Sequence, residues 1–365
     1  RLEGETATAE AIRGRLLGRP STLRFTTRGF LDPALDARWT GEIDLGALAA
    51  LREGGAEMSG LLSADLQLAG KPRLPPSVRV TGPVTLKEIV VRGPTPAVPV
   101  RIPAGTLRFT GQGLRTDELR LLLGRSDLTV SFEARNAVEA LAAPADGTRT
   151  KAAFTLSTRS RRLDWTELFP ERPNEIGYSQ LMWARLADRP VAGRPVEQVA
   201  LEQRFALTAL PPIEVQGRAA IDTFIQTNLR ATDVTLNVLL HDGVLRLTDL
   251  RARVYGGRAH GEAAVDFTSG PPYPASWSFV AESLQAAAFL DRFTGLGQAV
   301  SGTLTMQVGG EGRLDRYLLP EREAFRTDVR GLLVNGALQN WGPTNALAAF
   351  LRNERLKTIR VQRWV

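Results

Sequence analysis

The sequence predicts a mainly β fold of strands with one apolar face, arranged in degenerate repeats, with a few short amphipathic helices. Three observations carry this. Apolar and polar residues alternate with period two between glycines, as in strands that bury one side. The chain has 34 Gly and 22 Pro, the material of many turns. A strand running into a short helix recurs along the chain.

The strands come first. In GTLRFTG, Leu107 and Phe109 point one way and Thr106, Arg108 and Thr110 the other. SDLTVSFEA places Leu128, Val130 and Phe132 opposite Thr129, Ser131 and Glu133. GVLRLTD does the same with Leu245 and Leu247, GEAAVDF with Val265 and Phe267, and SGTLTMQVGG with Leu304, Met306 and Val308.

The strand–helix element is ARWTGEIDLGALAALRE at 37–53, FTLSTRSRRLDWTELFP at 154–170 and WSFVAESLQAAAFLDRF at 277–293. Each copy ends in apolar residues at helical spacing, such as Leu284, Ala288 and Phe289 in the last. An SG-strand-G element follows the first and last copies, from Ser59 and from Ser301. The order of parts points to an internal duplication: a first β-repeat block at 1–170 and a second at 199–365. Between them, 171–198 is rich in Pro and Arg and reads as a linker or cap holding a short helix with Leu181, Met182, Trp183 and Leu186. A further helix is expected from Asn345 to Arg355, with Leu347, Phe350 and Leu351 on one stripe.

Composition bounds the function. The 365 residues are ample for a sizeable core, and 43% hydrophobic content argues against disorder. With no cysteine, disulfides and thiolate metal sites are excluded. The net charge of +7 comes from arginines spread along the chain, which reads as solvated strand faces; no nucleic-acid partner is expected. The densest run, Arg159, Arg161 and Arg162, adjoins Asp164. No apolar stretch approaches the roughly 18–20 residues of a membrane span. The opening RLEGETATAE carries no signal peptide and IRVQRWV stops within a strand pattern, so an anchor is expected outside this segment.

The search for chemistry is negative in the sequence. GxSxG, HExxH, GxxxxGK[ST] and CxxC do not occur, and GQGLRT reads as a turn between strands. His241 belongs to an HDG hairpin turn, and His260 reads as a polar strand or turn residue. Asp164 and Glu167 suggest an acid pair, but the repeat copies do not keep them, so helix-start chemistry explains them better. No enzymatic activity, cofactor or metal is expected.

What recurs is the apolar strand face. It fits the core of a closed β-sandwich, the simpler reading from alternation alone, or an open sheet whose face is covered by lipid. A six-residue strand spans about 20 Å, the scale of an acyl chain, and each buried methylene contributes about 0.8 kcal/mol. VYGGRAHGEAAVDF, then SFVAESLQAAAFLDRFTGLGQAVSGTLTMQVGGEG, then DVRGLLVNGALQNW resemble the C-terminal pattern of the AsmA-like family, and SQLMWARLADRPVAGRPVEQVA is similar to a linker of some members. The resemblance covers most of 40–341 and is strongest from Tyr255 onward. It implies an elongated, twisted sheet curved into an open apolar groove, a bridge-like carrier of phospholipid or another acyl-chain lipid. It further implies a periplasmic place, attachment to the inner membrane outside this segment, contact with outer-membrane components and a part in outer-membrane integrity. Strand phase then nominates Leu107, Phe109, Val130, Phe132, Leu245, Leu247, Val265, Phe267, Leu304, Met306 and Val308 as the lining. The competing expectation is a periplasmic assembly scaffold for outer-membrane proteins with a closed core. A carbohydrate-active β-protein is disfavoured by 7% aromatics and the lack of a repeated acid pair.

Overall fold

The computed structural model describes residues 2–29, 31–51, 57–93, 96–142, 151–170, 176–203, 206–207, 210, 212–227, 229–294, 299–339, 342–353, 355 and 358–364. Strands take up 65% of the chain and helical turns 14%, so the fold is mainly β. The chain divides into two compact units, Arg1–Pro170 with Pro211–Arg218, and Glu171–Leu210 with Ala219–Val365.

The first unit is an antiparallel meander in which each strand pairs with the next: β1 (Leu2–Glu3), β2 (Thr6–Leu16), β3 (Arg19–Arg28), β4 (Ala34–Asp44), β5 (Glu57–Gly70), β6 (Arg79–Arg92), β7 (Val100–Gly111), β8 (Leu114–Leu123), β9 (Ser126–Arg135) and β10 (Ala152–Ser160). The short β11 (Leu163–Asp164) follows, and β12 (Ile213–Gln226) also pairs with β10. Helix α1 (Leu45–Ala49) follows β4, α2 (Ala137–Ala142) follows β9 and α3 (Trp165–Leu168) follows β11. The second unit holds α4 (Tyr178–Leu186), α5 (Val196–Gln203) and a second meander: β13 (Leu229–His241), β14 (Val244–Val254), β15 (Gly257–Asp266), β16 (Tyr273–Gln285), β17 (Val300–Leu314), β18 (Arg326–Gln339) and β19 (Thr358–Trp364). Helix α6 (Ala286–Thr294) follows β16 and α7 (Gly342–Phe350) follows β18. Among the described residues, neither meander closes on itself.

The expected strand–helix copies are present as β4–α1, β10–β11–α3 and β16–α6. Arg52 and Glu53 of the first copy lie outside the described residues. The duplication extends to backbone detail. In the SG element, Gly60 and Gly302 both have left-handed φ, +113° and +120°, and each sits at a bulge, between Ser59 and Leu61 and between Ser301 and Thr303. Opposite them, Glu88 and Asn335 also have positive φ, both 51°. A bulge inserts one residue without flipping the face of the rest of the strand.

Three details differ from the sequence reading. Leu284 is a buried residue near the end of β16, behind a bulge whose extra residue restores its pairing with Leu304. Helix α7 begins at Gly342, earlier than expected, and stops at Phe350, leaving Phe350 and Leu351 exposed. In 171–198, whose first five residues lie outside the described set, Leu181 is fully buried against Val196, Val199, Ala200 and Leu319, while Trp183 is exposed. That segment therefore has its own small helical core, docked on the β17–β18 connection.

Candidate functional site

Strand register decides which side chains share a face, since directly paired residues project to the same side. In the second unit Leu240 pairs with Leu245, Leu245 with Val265, and Val265 with Ala275. The next row runs Val238, Leu247, Ala263 and Trp277. Then come Leu250, Gly261, Phe279, Val308 and Val329, and after them Ala252, Ala259, Ala281, Met306 and Gly331. Leu284, Leu304 and Leu333 close the series. Bulges between Leu247 and Leu250 and between Ala281 and Leu284 keep all these rows in phase. Leu245, Leu247, Val265, Leu304, Met306 and Val308 thus lie on one continuous apolar face. Phe267 lies one residue past the end of β15, outside the strand, its ring 4.8 Å from that of Tyr273.

The first unit has the same construction. Val84 pairs with Leu107, Gly82 with Phe109, Leu119 with Val130 and Thr116 with Phe132. Phe132 in turn pairs with Leu156, and Phe109 with Leu114. The four nominated residues of this unit share a face with Leu23, Phe25, Trp39, Leu62, Leu66 and Leu68. Leu107 packs against a cluster in which Leu45 of α1 plugs that part of the face together with Leu86, Ile89 and Leu119.

The opposite faces carry the charges, alongside a few aliphatic side chains such as Leu239. In the second unit Arg246, Arg251, Arg253, Arg258, His260 and Glu282 project there, with Arg258 to Glu282 at 3.5 Å and Arg253 to Asp233 at 3.2 Å. In the first, Arg38 donates two hydrogen bonds to Asp65, at 2.8 and 2.6 Å. That hydrogen-bonded charge, with Thr40 as a further donor, holds the Asp65 carboxyl below the ordinary carboxylate value. The run at Arg159–Arg162 is largely engaged in pairing: Arg161 meets Asp127 at 3.0 Å and Arg162 meets Asp164 at 3.0 Å. Asp164 caps α3 by accepting from the Glu167 amide, the helix-start role read from the sequence. His241 and Asp242 flank the tight β13–β14 turn, where Asp242 and Gly243 both have positive φ.

All the nominated apolar residues are half-buried. The inner face of a sandwich packs against a second sheet about 10 Å away and loses nearly all contact with solvent. Here Phe279 remains 36% exposed and Val329 60%.

Strand phase in the sequence missed Trp39, Trp277, Phe279, Phe325 and Val329. Trp277 and Phe279 alternate in WSF, but that stretch was notable for the helix behind it. Phe325 stands outside any strand and reaches the face only through the fold. Comparison with family models, with curated proteins and with solved structures returned no match.

Proposed function

We propose that this chain is a non-enzymatic, periplasmic lipid-binding segment, whose apolar sheet faces carry the acyl chains of phospholipids between the inner and outer membranes and so support outer-membrane integrity. The observation behind this reading is an aligned apolar face in each unit whose residues stay half-exposed. Contiguous apolar surface beyond a few hundred Å² marks a binding site in a water-soluble fold. A ligand of unbranched methylenes suits a face whose apolar side chains recur with a two-residue repeat. Attachment to the inner membrane, outside this segment, follows from the resemblance to AsmA-like proteins.

Native mass spectrometry of the purified chain tests the reading, which requires co-purified phospholipid. Leu247→Asp places a carboxylate in the middle of the second unit's face. Desolvating it under an acyl chain costs more than the roughly 1–3 kcal/mol of a neutral polar group, so loading falls roughly tenfold or more while the circular dichroism spectrum is retained. A folded, monomeric protein that never carries lipid sinks the proposal. The arginine-rich opposite faces favour a second reading, a scaffold for outer-membrane proteins. Under it Leu247→Asp leaves lipid content unchanged and weakens no partner contact.

A further inference from the structure

The positive charge of the chain is concentrated on one stretch of sheet. Strands β6–β10 of the first unit contain nine Lys and Arg against five Asp and Glu, a surplus of four out of the chain's +7. By strand phase the nine cations project to the side opposite Leu107, Phe109, Val130 and Phe132. Among them Lys87, Arg101, Arg108, Arg115, Arg120 and Arg159 are exposed and form no ion pair among the described residues. Arg108 is paired directly with Arg115, and only Thr129 stands between Arg120 and Arg159 in the register. Like charges set directly opposite each other destabilise a sheet. Glu133 stands on the other flank of Arg115 without closing an ion pair with it. Other strands handle such charges differently: Arg38, Arg253 and Arg258 each meet a carboxylate.

We propose that this charged face of β6–β10 docks on the phosphate layer of an anionic bilayer. The inference concerns the far side of the sheet from the apolar lining, so it does not rest on the lipid-carrying reading. Five adjacent strands at about 4.8 Å spacing span roughly 19 Å, and the seven residues from Arg101 to Arg108 span about 23 Å. One small anion meets one or two guanidinium groups of such a patch, whereas a layer of headgroup phosphates meets them all. Between the charges stand Thr85, Thr106, Thr129, Ser131 and Thr155, while the rings of these strands, Phe109, Phe132 and Phe154, belong to the other side. A protein partner is held by buried aromatic or apolar anchors, and a single-stranded nucleic acid by stacking rings; this face offers neither. A phosphate surface needs only fixed positive charge, and each Lys or Arg close to it strengthens binding roughly fivefold at low salt. The phosphates also relieve the repulsion between Arg108 and Arg115.

Co-sedimentation of the whole chain with vesicles tests this, using phosphatidylcholine alone and phosphatidylcholine mixed in equal parts with phosphatidylglycerol, each at low and high salt. Wild-type protein is expected to sediment with the mixed vesicles at low salt, to be released by high salt, and to ignore pure phosphatidylcholine. One variant combines Arg108→Gln, Arg115→Gln, Arg120→Gln and Arg159→Gln. Its affinity for the mixed vesicles is expected to fall by about a hundredfold or more, the product of four such steps. These side chains are exposed and hold no ion pair among the described residues, so the melting temperature stays near that of wild type. A control with the same formal charge combines Arg251→Gln, Arg253→Gln, Arg258→Gln and Arg322→Gln, all ion-paired in the second unit, and keeps most of the binding. Equal losses in the two variants mean that net charge alone drives binding, and they overturn the assigned face. Wild-type binding that is the same with and without phosphatidylglycerol, or untouched by salt, overturns it too. So does a wild type that never sediments with vesicles yet is retained on heparin through these four arginines, since the face then serves an acidic macromolecule. Docking is read from sedimentation and carriage from co-purified lipid, so either reading fails without the other.

Discussion

Asp164 is almost fully buried, with its side chain 4% exposed, yet it stays charged because three donors surround it. Burial pushes its carboxyl up. The Arg162 hydrogen bond, the Glu167 amide and the charges of Arg125 and Arg162 together outweigh that, so the group titrates below the ordinary carboxylate value. A carboxyl lowered on folding stabilises the native state above its unfolded pKa, about 3.9, and this contribution is lost as pH falls through the lower folded value. Asp164→Asn removes the charge while keeping a capping oxygen. It is expected to destabilise the chain by about 1–2 kcal/mol at pH 7, and by progressively less as the pH drops below about 4. Urea melts of both proteins at pH 7 and pH 3 check this, and a deficit that persists undiminished in acid would refute the charge-based account. The side chain was legible in the sequence as helix-start chemistry from its place before WTEL. Arg162 was visible beside it in the same run, but the burial of Asp164 and its second arginine partner were not, because Arg125 comes from a turn that only the fold brings near.

At the scale of elements, the bulged glycines tie register to sequence. Gly302 holds φ +120°, and a Cβ there would lie 2.7 Å from the Gly336 Cα of β18. Gly302→Ala therefore forces the strained backbone and the close strand approach to give together, at an expected cost of about 1–3 kcal/mol. Gly331→Ala, on the same pair of strands but with open space at its Cβ, is the matched control and costs far less. Denaturant midpoints of the two variants decide it, and equal losses would mean the bulge is not a constraint. The alternating strands, the strand–helix copies and the HDG turn were readable because each is set by neighbours within about ten residues. Phase also put Leu245, Leu247, Val265, Leu304, Met306 and Val308 on a common face, since bulges at both ends of the rows preserve it. What escaped was long-range: Leu45 reaching over to plug the face beside Leu107, Phe325 stacking on Trp277, and Leu319 filling the core of α4 and α5. None of these leaves a periodic trace, because each depends on where distant strands are set by pairing.

At the scale of the molecule, the question is what an unfilled apolar face does to stability. Each unit gains less from burial than a closed sandwich of the same length, because much of its apolar face is not covered by a second layer. A ligand that covers the face binds the folded chain and not the unfolded one, so it adds RT ln(1 + [L]/Kd), about 2.7 kcal/mol at a hundredfold excess over Kd. For units of this size each kcal/mol moves Tm by roughly 2–4 °C. Lipid-free protein is thus expected to melt roughly 5–10 °C below the same protein saturated with phosphatidylglycerol. The net charge of +7 makes an anionic headgroup the better partner than a zwitterionic one, by an amount that shrinks with added salt. A dye that fluoresces on apolar surface should bind the lipid-free chain and be displaced stoichiometrically as lipid is added. Scanning calorimetry across lipid concentration separates this from simple crowding, since linkage gives a Tm that keeps rising with the logarithm of free lipid. A Tm that ignores lipid, in a chain that also fails to bind the dye, would mean that the half-exposed leucines, valines and phenylalanines of the two faces are already satisfied by the protein itself.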